Sequence, residues 1–307
     1  MNSIRSKWMY LFVLSIIWGS SFILIKKSLL GLTPYQLGAL RIIITGLFLF
    51  AMGYKTIKTI KKSDWKWIVI SGLFGSFIPA FFFAIAETEI DSAVVSILNS
   101  LVPLNTILLG FAVFRMASTK RQILGVIIGF IGTTVLILKG AHLNPNQNYL
   151  YAIFVILSTL MYAMNVNIIK KYLQHLKPLT IATGNFVTII IPAIIILLFT
   201  DFFSVKTFEN PEFKMAMVYI MILSFFGTAM AKILFNKLVQ VSTPVFASSV
   251  AFVMPIVALM WGFLDGEAFS LLQGVASIII LLGVYLSHKK QPNRSQLSLK
   301  QLVKLKK

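Results

Sequence analysis

Two stretches decide how this sequence folds: "ILIKKSLLGLTP" at 23–34 and "NIIKKYLQHLKP" at 167–178. Lys26 and Lys27 align with Lys170 and Lys171, and Pro34 aligns with Pro178 at the same offset. Further along, "FGSFIPA" at 74–80 aligns with "FGTAMAK" at 226–232, and "SAVVSILNSLVP" at 92–103 with "PVFASSVAFVMP" at 244–255. The offset is larger there because the second copy carries a longer connection, "TDFFSVKTFENPEF" at 200–213. A similarity that keeps its order through most of both halves marks an internal duplication.

Each copy is built of apolar runs. The chain of 307 residues is 58% hydrophobic and 12% charged, with a mean hydropathy of +0.87. Soluble domains are about 45–50% apolar and about 25% charged, so the reading is an all-α polytopic membrane protein. A membrane span needs about 20 mostly apolar residues. Breaks at Pro, Gly, Asn and charge clusters give ten candidates, near 8–28, 34–53, 65–86, 91–114, 120–138, 148–169, 179–199, 214–237, 243–264 and 269–287. The first run follows Arg5 and Lys7 but is too long for a signal-peptide core and lacks a small-residue cleavage site, so it reads as a retained helix. The expected organisation is two five-helix repeats, 8–138 and 148–287, followed by a basic tail, 288–307.

Charge sets the orientation. With the N-terminus inside, the inner set holds Arg5, Lys7, the Lys55–Lys66 cluster, Arg115, Lys120, Arg121, Lys170, Lys171, Lys177, Lys237 and the tail, roughly four-fifths of all Lys and Arg. The outer loops hold Glu87, Glu89, Asp91, Asp201, Glu209, Glu212, Asp265 and Glu267. Both termini are then cytoplasmic, in a multi-pass protein of the plasma membrane. Five spans per copy is an odd number, so the second copy is inserted upside down. Inverted repeats are a hallmark of secondary transporters, whose halves rock about a site near the midplane. The net charge of +19 does not indicate a nucleic-acid partner, because the basic residues sit in short loops and the tail rather than on one folded face. The tail alternates Leu and Val with Lys and suits either an anionic leaflet or a solvated end.

Several further classes are set aside. The absence of Cys removes disulfides, zinc–thiolate sites and a cysteine nucleophile, and the three His fall between or beyond the apolar runs. No metal, cofactor or nucleotide motif is present, and no pair of carboxylates lies inside a span, so an enzyme is not expected. A channel or scaffold is the alternative to a transporter, and an intramembrane enzyme a further one. The partners expected are a small-molecule substrate and the bilayer; the sequence carries no signal of oligomeric state.

The polar residues inside spans fall at helical spacing. Ser224, Thr228, Lys232 and Asn236 form a row on the eighth span; Ser96 and Asn99 lie on the fourth, Tyr162 and Asn165 on the sixth, Trp18 on the first and Ser76 on the third. Such stripes also serve helix packing, since Ser, Thr and Asn bridge helices. Several converging stripes point instead to a cavity, with Lys232, Thr228, Asn236, Asn99, Ser96, Tyr162, Asn165, Trp18 and Ser76 as its candidate substrate-binding residues. Lys232 is read as facing this cavity and pairing with an anionic group of the substrate. Arg41 lies near the outer end of its span and is read as an anchor that snorkels to the interface.

"WGSSFILIKKSLLGLTPYQLGALR", "QILGVIIGFIGTTVLI" and, in the second half, "FFGTAMAKILFNKLVQVSTPVFASSVAFVMPIVALMWGFLDGE" resemble the EamA domain of the drug/metabolite transporter superfamily. The resemblance covers about 11–286. It implies ten helices around a central cavity and transport, often outward, of small metabolites such as amino-acid-like or other polar or amphipathic solutes by alternating access. The family's Gly-Glu pair after the fourth span reads Arg115-Met116 here, while Gly266-Glu267 keeps it in the second half. The family usually has an uncharged residue at the position of Lys232.

The orientation is open to direct test. Asn210→Cys in this Cys-free chain should be labelled by a membrane-impermeant thiol reagent from outside the cell. Labelling only from the cytoplasm would overturn the inverted arrangement.

Overall fold

The computed structural model describes residues 3–90, 92–140, 148–264 and 271–287. The basic tail, Asp91, and the Gly266-Glu267 pair lie outside the described residues. Among the described residues every regular element is helical. Six helices are long and apolar enough to cross a membrane: Arg5–Ser28, Pro34–Thr59, Trp65–Ala86, Ala152–Tyr172, Pro178–Leu198 and Phe213–Val241. The protein is a polytopic helical membrane protein. The other apolar runs form Lys120–Gly140, the interrupted pairs Ser92–Asn99 then Val102–Ala112 and Pro244–Ser248 then Val250–Leu264, and the shorter Leu271–Ser287.

Local chemistry explains where helices start. Thr33 caps the helix Pro34–Gly53 in a reciprocal box with Gln36, and Pro34 occupies the first turn, where its missing N–H is not needed. Pro178 opens Pro178–Leu198 in the same way. Thr243 caps Pro244–Ser248 by accepting from the backbone N–H of Phe246.

Two helices change pitch midway. Leu73–Phe77 and Leu223–Met230 are π-helical, and each contains one of the aligned Phe-Gly pairs, Phe74-Gly75 and Phe226-Gly227. A π-turn bonds i to i+5 and is found mostly as a single widened turn at functional sites. In the first of them Pro79 follows the widened turn. It has no N–H to offer the carbonyl of Gly75, four residues back.

Helix packing relies on close backbone approach. Lys120–Gly140 lies along Leu271–Ser287, and a Cβ on Gly283 would stand 2.7 Å from the Cα of Gly129 and from the carbonyl oxygen of Gly125. Small residues at such contacts let transmembrane helices meet where no hydrophobic effect drives them together. Gly38 does the same against the ring of Phe81. Two apolar cores result. One is centred on Leu14, Ile168, Phe246 and Phe252, the other on Leu37, Leu49, Phe186 and Leu223.

The departure at Arg115 also has a backbone meaning. Arg115 has φ 56°, the left-handed region that favours glycine, directly after Val102–Ala112. Met116 N–H closes the turn by donating to the carbonyl of Gly110 at 2.8 Å. The chain thus keeps the shape of a glycine turn with an arginine in it, at a cost of about 1 kcal/mol. Arg115→Gly should therefore raise stability by up to about 1 kcal/mol, read as a higher melting temperature in detergent. A lower one would show that the arginine side chain compensates for its backbone.

Candidate functional site

A central cavity of about 120 Å³ is enclosed by residues from most of these helices. It lies between the two π-turns, since Gly75, Ser76, Gly227 and Thr228 all border it. Their geometry is reciprocal. The indole Nε1 of Trp18 donates to the carbonyl of Gly227 at 3.0 Å, and Nζ of Lys232 donates to the carbonyl of Gly75 at 2.8 Å. Each glycine carbonyl of the aligned pairs is thus met by a side chain from the other half of the sequence. Glycine is needed for this approach. A Cβ on Gly75 would stand 2.6 Å from Lys232 Nζ and 2.5 Å from Asn165 Nδ2.

The structure brings Trp18, Ser76 and Asn99 to this cavity together with Tyr162, Asn165, Thr228 and Lys232. Ser96 and Asn236 are buried but are not among its lining residues. Asn236 Nδ2 donates to the carbonyl of Pro178 at 3.1 Å, and so ties one helix to the start of another. Ser224, on the same sequence row, is fully buried, and its backbone carbonyl accepts from Thr45 at 3.1 Å.

Arg41 is the residue that the sequence placed elsewhere. It lines the cavity instead of anchoring at the interface, and its Nε donates to Thr228 Oγ1 at 2.9 Å. Thr228 Oγ1 in turn donates to the carbonyl of Leu223, five residues back in the widened turn, at 3.1 Å. Gly38 and Thr45, both buried, share the face of Arg41, and this small and polar face was the available signal. Glu87 lies near enough to interact electrostatically with Arg41.

The polar groups differ in how well they are satisfied. Ser71 Oγ donates to Asn165 Oδ1 at 2.6 Å, and Asn185, a residue absent from the sequence-derived set, donates to the carbonyl of Ile68 at 2.7 Å. Asn99 is less well served. Its Nδ2 reaches only the sulfur of Met254, at 3.9 Å, and its Oδ1 is buried without a hydrogen-bond partner. Lys232 is 5% exposed. A hydrogen bond involving a charged group contributes about 1.5–3 kcal/mol, while the desolvation of a buried ion costs several kcal/mol. One carbonyl does not offset that cost. The walls are largely aromatic: Tyr162 stacks on Phe83 with centroids 5.9 Å apart, and Trp18 tilts against Phe235 at 5.1 Å.

A second cavity, of about 420 Å³, is bordered by Lys7, Asn167, Lys170 and Gln240. Lys170 Nζ donates to the carbonyls of Val239, Gln240 and Ser242 at 3.2, 3.3 and 2.7 Å. It thereby satisfies the end of Ala231–Val241, as a cation at a helix C-terminus does. That lysine is fully occupied in holding structure, which leaves the central cavity as the better candidate site.

Comparison with known proteins agrees with a membrane transporter. An uncharacterized transporter of Archaeoglobus fulgidus is 30% identical over 187 residues, covering 61% of this chain and 65% of the relative. The uncharacterized inner membrane transporter YedA of Escherichia coli K12 is 23% identical, over 90% of this chain and 88% of its own length. Protein PecM of Dickeya dadantii is 26% identical, over 81% of this chain and 80% of its own length. A solved crystal structure shares the fold with a TM-score of 0.70 at 17% identity, covering 92% of this chain and 96% of its own. The EamA-like transporter family is matched twice, over 6–138 and 149–288. With both matches together spanning nearly the whole sequence, the chain belongs to the EamA-like transporter family.

Proposed function

We propose that the protein is a secondary transporter that carries small polar or amphipathic metabolites through the central cavity, in the outward direction that the family resemblance suggests. Ten spans form two five-helix halves of opposite orientation, with both termini cytoplasmic, and the halves rock about the cavity. The observation that carries this reading is the placement of Lys232 and Arg41, two cations from different halves, in one aromatic-walled cavity bordered by both π-turns. Widened turns are the places where such helices bend at least cost. On the cytoplasmic side, the contacts that open in each cycle are the Trp67–Tyr172 stack, with centroids 3.7 Å apart, and the His175–Asp64 pair at 2.9 Å.

A screen of uptake and export in cells overproducing the protein identifies substrates. Saturable counterflow in proteoliposomes then separates a carrier from a channel, which would give unsaturable conductance.

Two substitutions test the site. Asn99→Leu removes a buried oxygen that lacks a partner, so the fold loses no strong hydrogen bond. It should leave melting temperature unchanged or raised and lower transport by about tenfold, the loss of one hydrogen bond of about 1.4 kcal/mol. Loss of stability together with activity would remove Asn99 from the site. Lys232→Met keeps length and removes charge, and should abolish transport with normal expression. Lys232→Arg should retain part of it, since the charge survives in a different geometry. Full transport by Lys232→Met would sink the assignment.

A further inference from the structure

We propose that the central cavity selects small organic monoanions, a carboxylate on an apolar or aromatic body without an accompanying ammonium group, over zwitterionic and cationic solutes of the same shape. This rests on the transporter reading for its biological meaning but not for its test.

The charge balance of the site carries the inference. Among the described residues no Asp or Glu borders the cavity. Arg41 has an acidic neighbour, Glu87, within electrostatic reach behind the cavity wall. Lys232 has its hydrogen bond to the neutral carbonyl of Gly75 and is almost completely buried. Protonated, Lys232 is a positive charge without an opposite charge, and one negative charge on a ligand completes the site. The same absence disfavours an α-amino group. The ammonium of an amino acid would be desolvated beside two cations with no carboxylate to receive it. Thr228 places the two cations together: it accepts from Arg41 and stands one turn before Lys232 on the same helix. An anion seated there meets both, and the amide N–H of Asn99, held only by the sulfur of Met254 at 3.9 Å, is a further donor on the cavity wall.

The rest of the ligand is set by the walls. Trp18, Phe22, Phe83, Tyr162, Phe186 and Phe235 line the cavity, an environment for an apolar body with a polar head. The volume is small beside the roughly 300–1,000 Å³ of pockets for drug-sized ligands. A small metabolite fits this description better than a lipid or a nucleotide.

The test uses three compounds that share a phenylethyl body and differ in charge: 3-phenylpropionate, phenylalanine and phenethylamine. Binding to the purified full-length protein in nanodiscs is measured by competition and by ligand-dependent thermal stabilisation, so that passive permeation of the free acid plays no part. The expected order is 3-phenylpropionate tightest, by about tenfold or more over phenylalanine, with no measurable binding of phenethylamine. Lys232→Met should weaken 3-phenylpropionate binding by about tenfold and shrink its margin over phenylalanine, Arg41 remaining as the second cation. Equal or tighter binding of phenylalanine or phenethylamine by the unmodified protein overturns the proposal, as does failure of 3-phenylpropionate to bind. Because the order is read on the unmodified protein, a poorly folded Lys232→Met does not blunt the result. Anion-selective binding without counterflow of any bound compound would instead defeat the transporter reading and leave the site.

Discussion

A backbone carbonyl released from its helix inside a bilayer must find a donor, because no water is there to supply one. This protein meets that demand at the two Phe-Gly pairs. Pro79 withholds an N–H from Gly75, and Lys232 supplies a donor; at Gly227, within the second widened turn, the indole of Trp18 donates to the carbonyl. The two bonds run in opposite senses between the halves of the chain. They join the first helix to the widened turn of one long helix, and that long helix to the widened turn of another. The position of the cavity, the use of glycine at its borders and the burial of a lysine all follow from this exchange.

The architecture divides the work between rigid and adjustable parts. Lys120–Gly140 and Leu271–Ser287 meet through Gly125, Gly129 and Gly283, where the backbones leave no room for a side chain. Such a contact has one good arrangement and resists sliding. The helices around the cavity are different. They carry widened turns, breaks at Ser20 and at Ser100 and Leu101, and Pro192 and Pro255 within their length.

Much of this was legible in the sequence, because in a membrane the sequence must announce itself. Apolar runs, Pro34 and Pro178 at helix starts, and the aligned Phe-Gly pairs are all consequences of backbone satisfaction, which is a local property. The rotation of a helix about its axis is not local, and there the reading was weaker. Arg41 was judged by its depth, which fits a snorkelling anchor; the small face shared with Gly38 and Thr45 turns it inward instead. Asn236 was placed in line with Lys232 by equal spacing, but it serves the carbonyl of Pro178. Both lie in the regular helix Ala231–Val241, and Asn236 stands one turn further along, level with the start of Pro178–Leu198 rather than with the cavity.

The carbonyl of Gly75 has one more consequence. It is a stand-in ligand: it holds Nζ of Lys232 at 2.8 Å, the distance that a guest oxygen would take. Any anion that enters exchanges one acceptor for another, so its affinity is the difference between two partners and not the full value of an ion pair. That difference is modest by construction. A guest held this way is captured without being trapped, and its departure leaves no bare charge behind, because the peptide oxygen returns to the place it gave up.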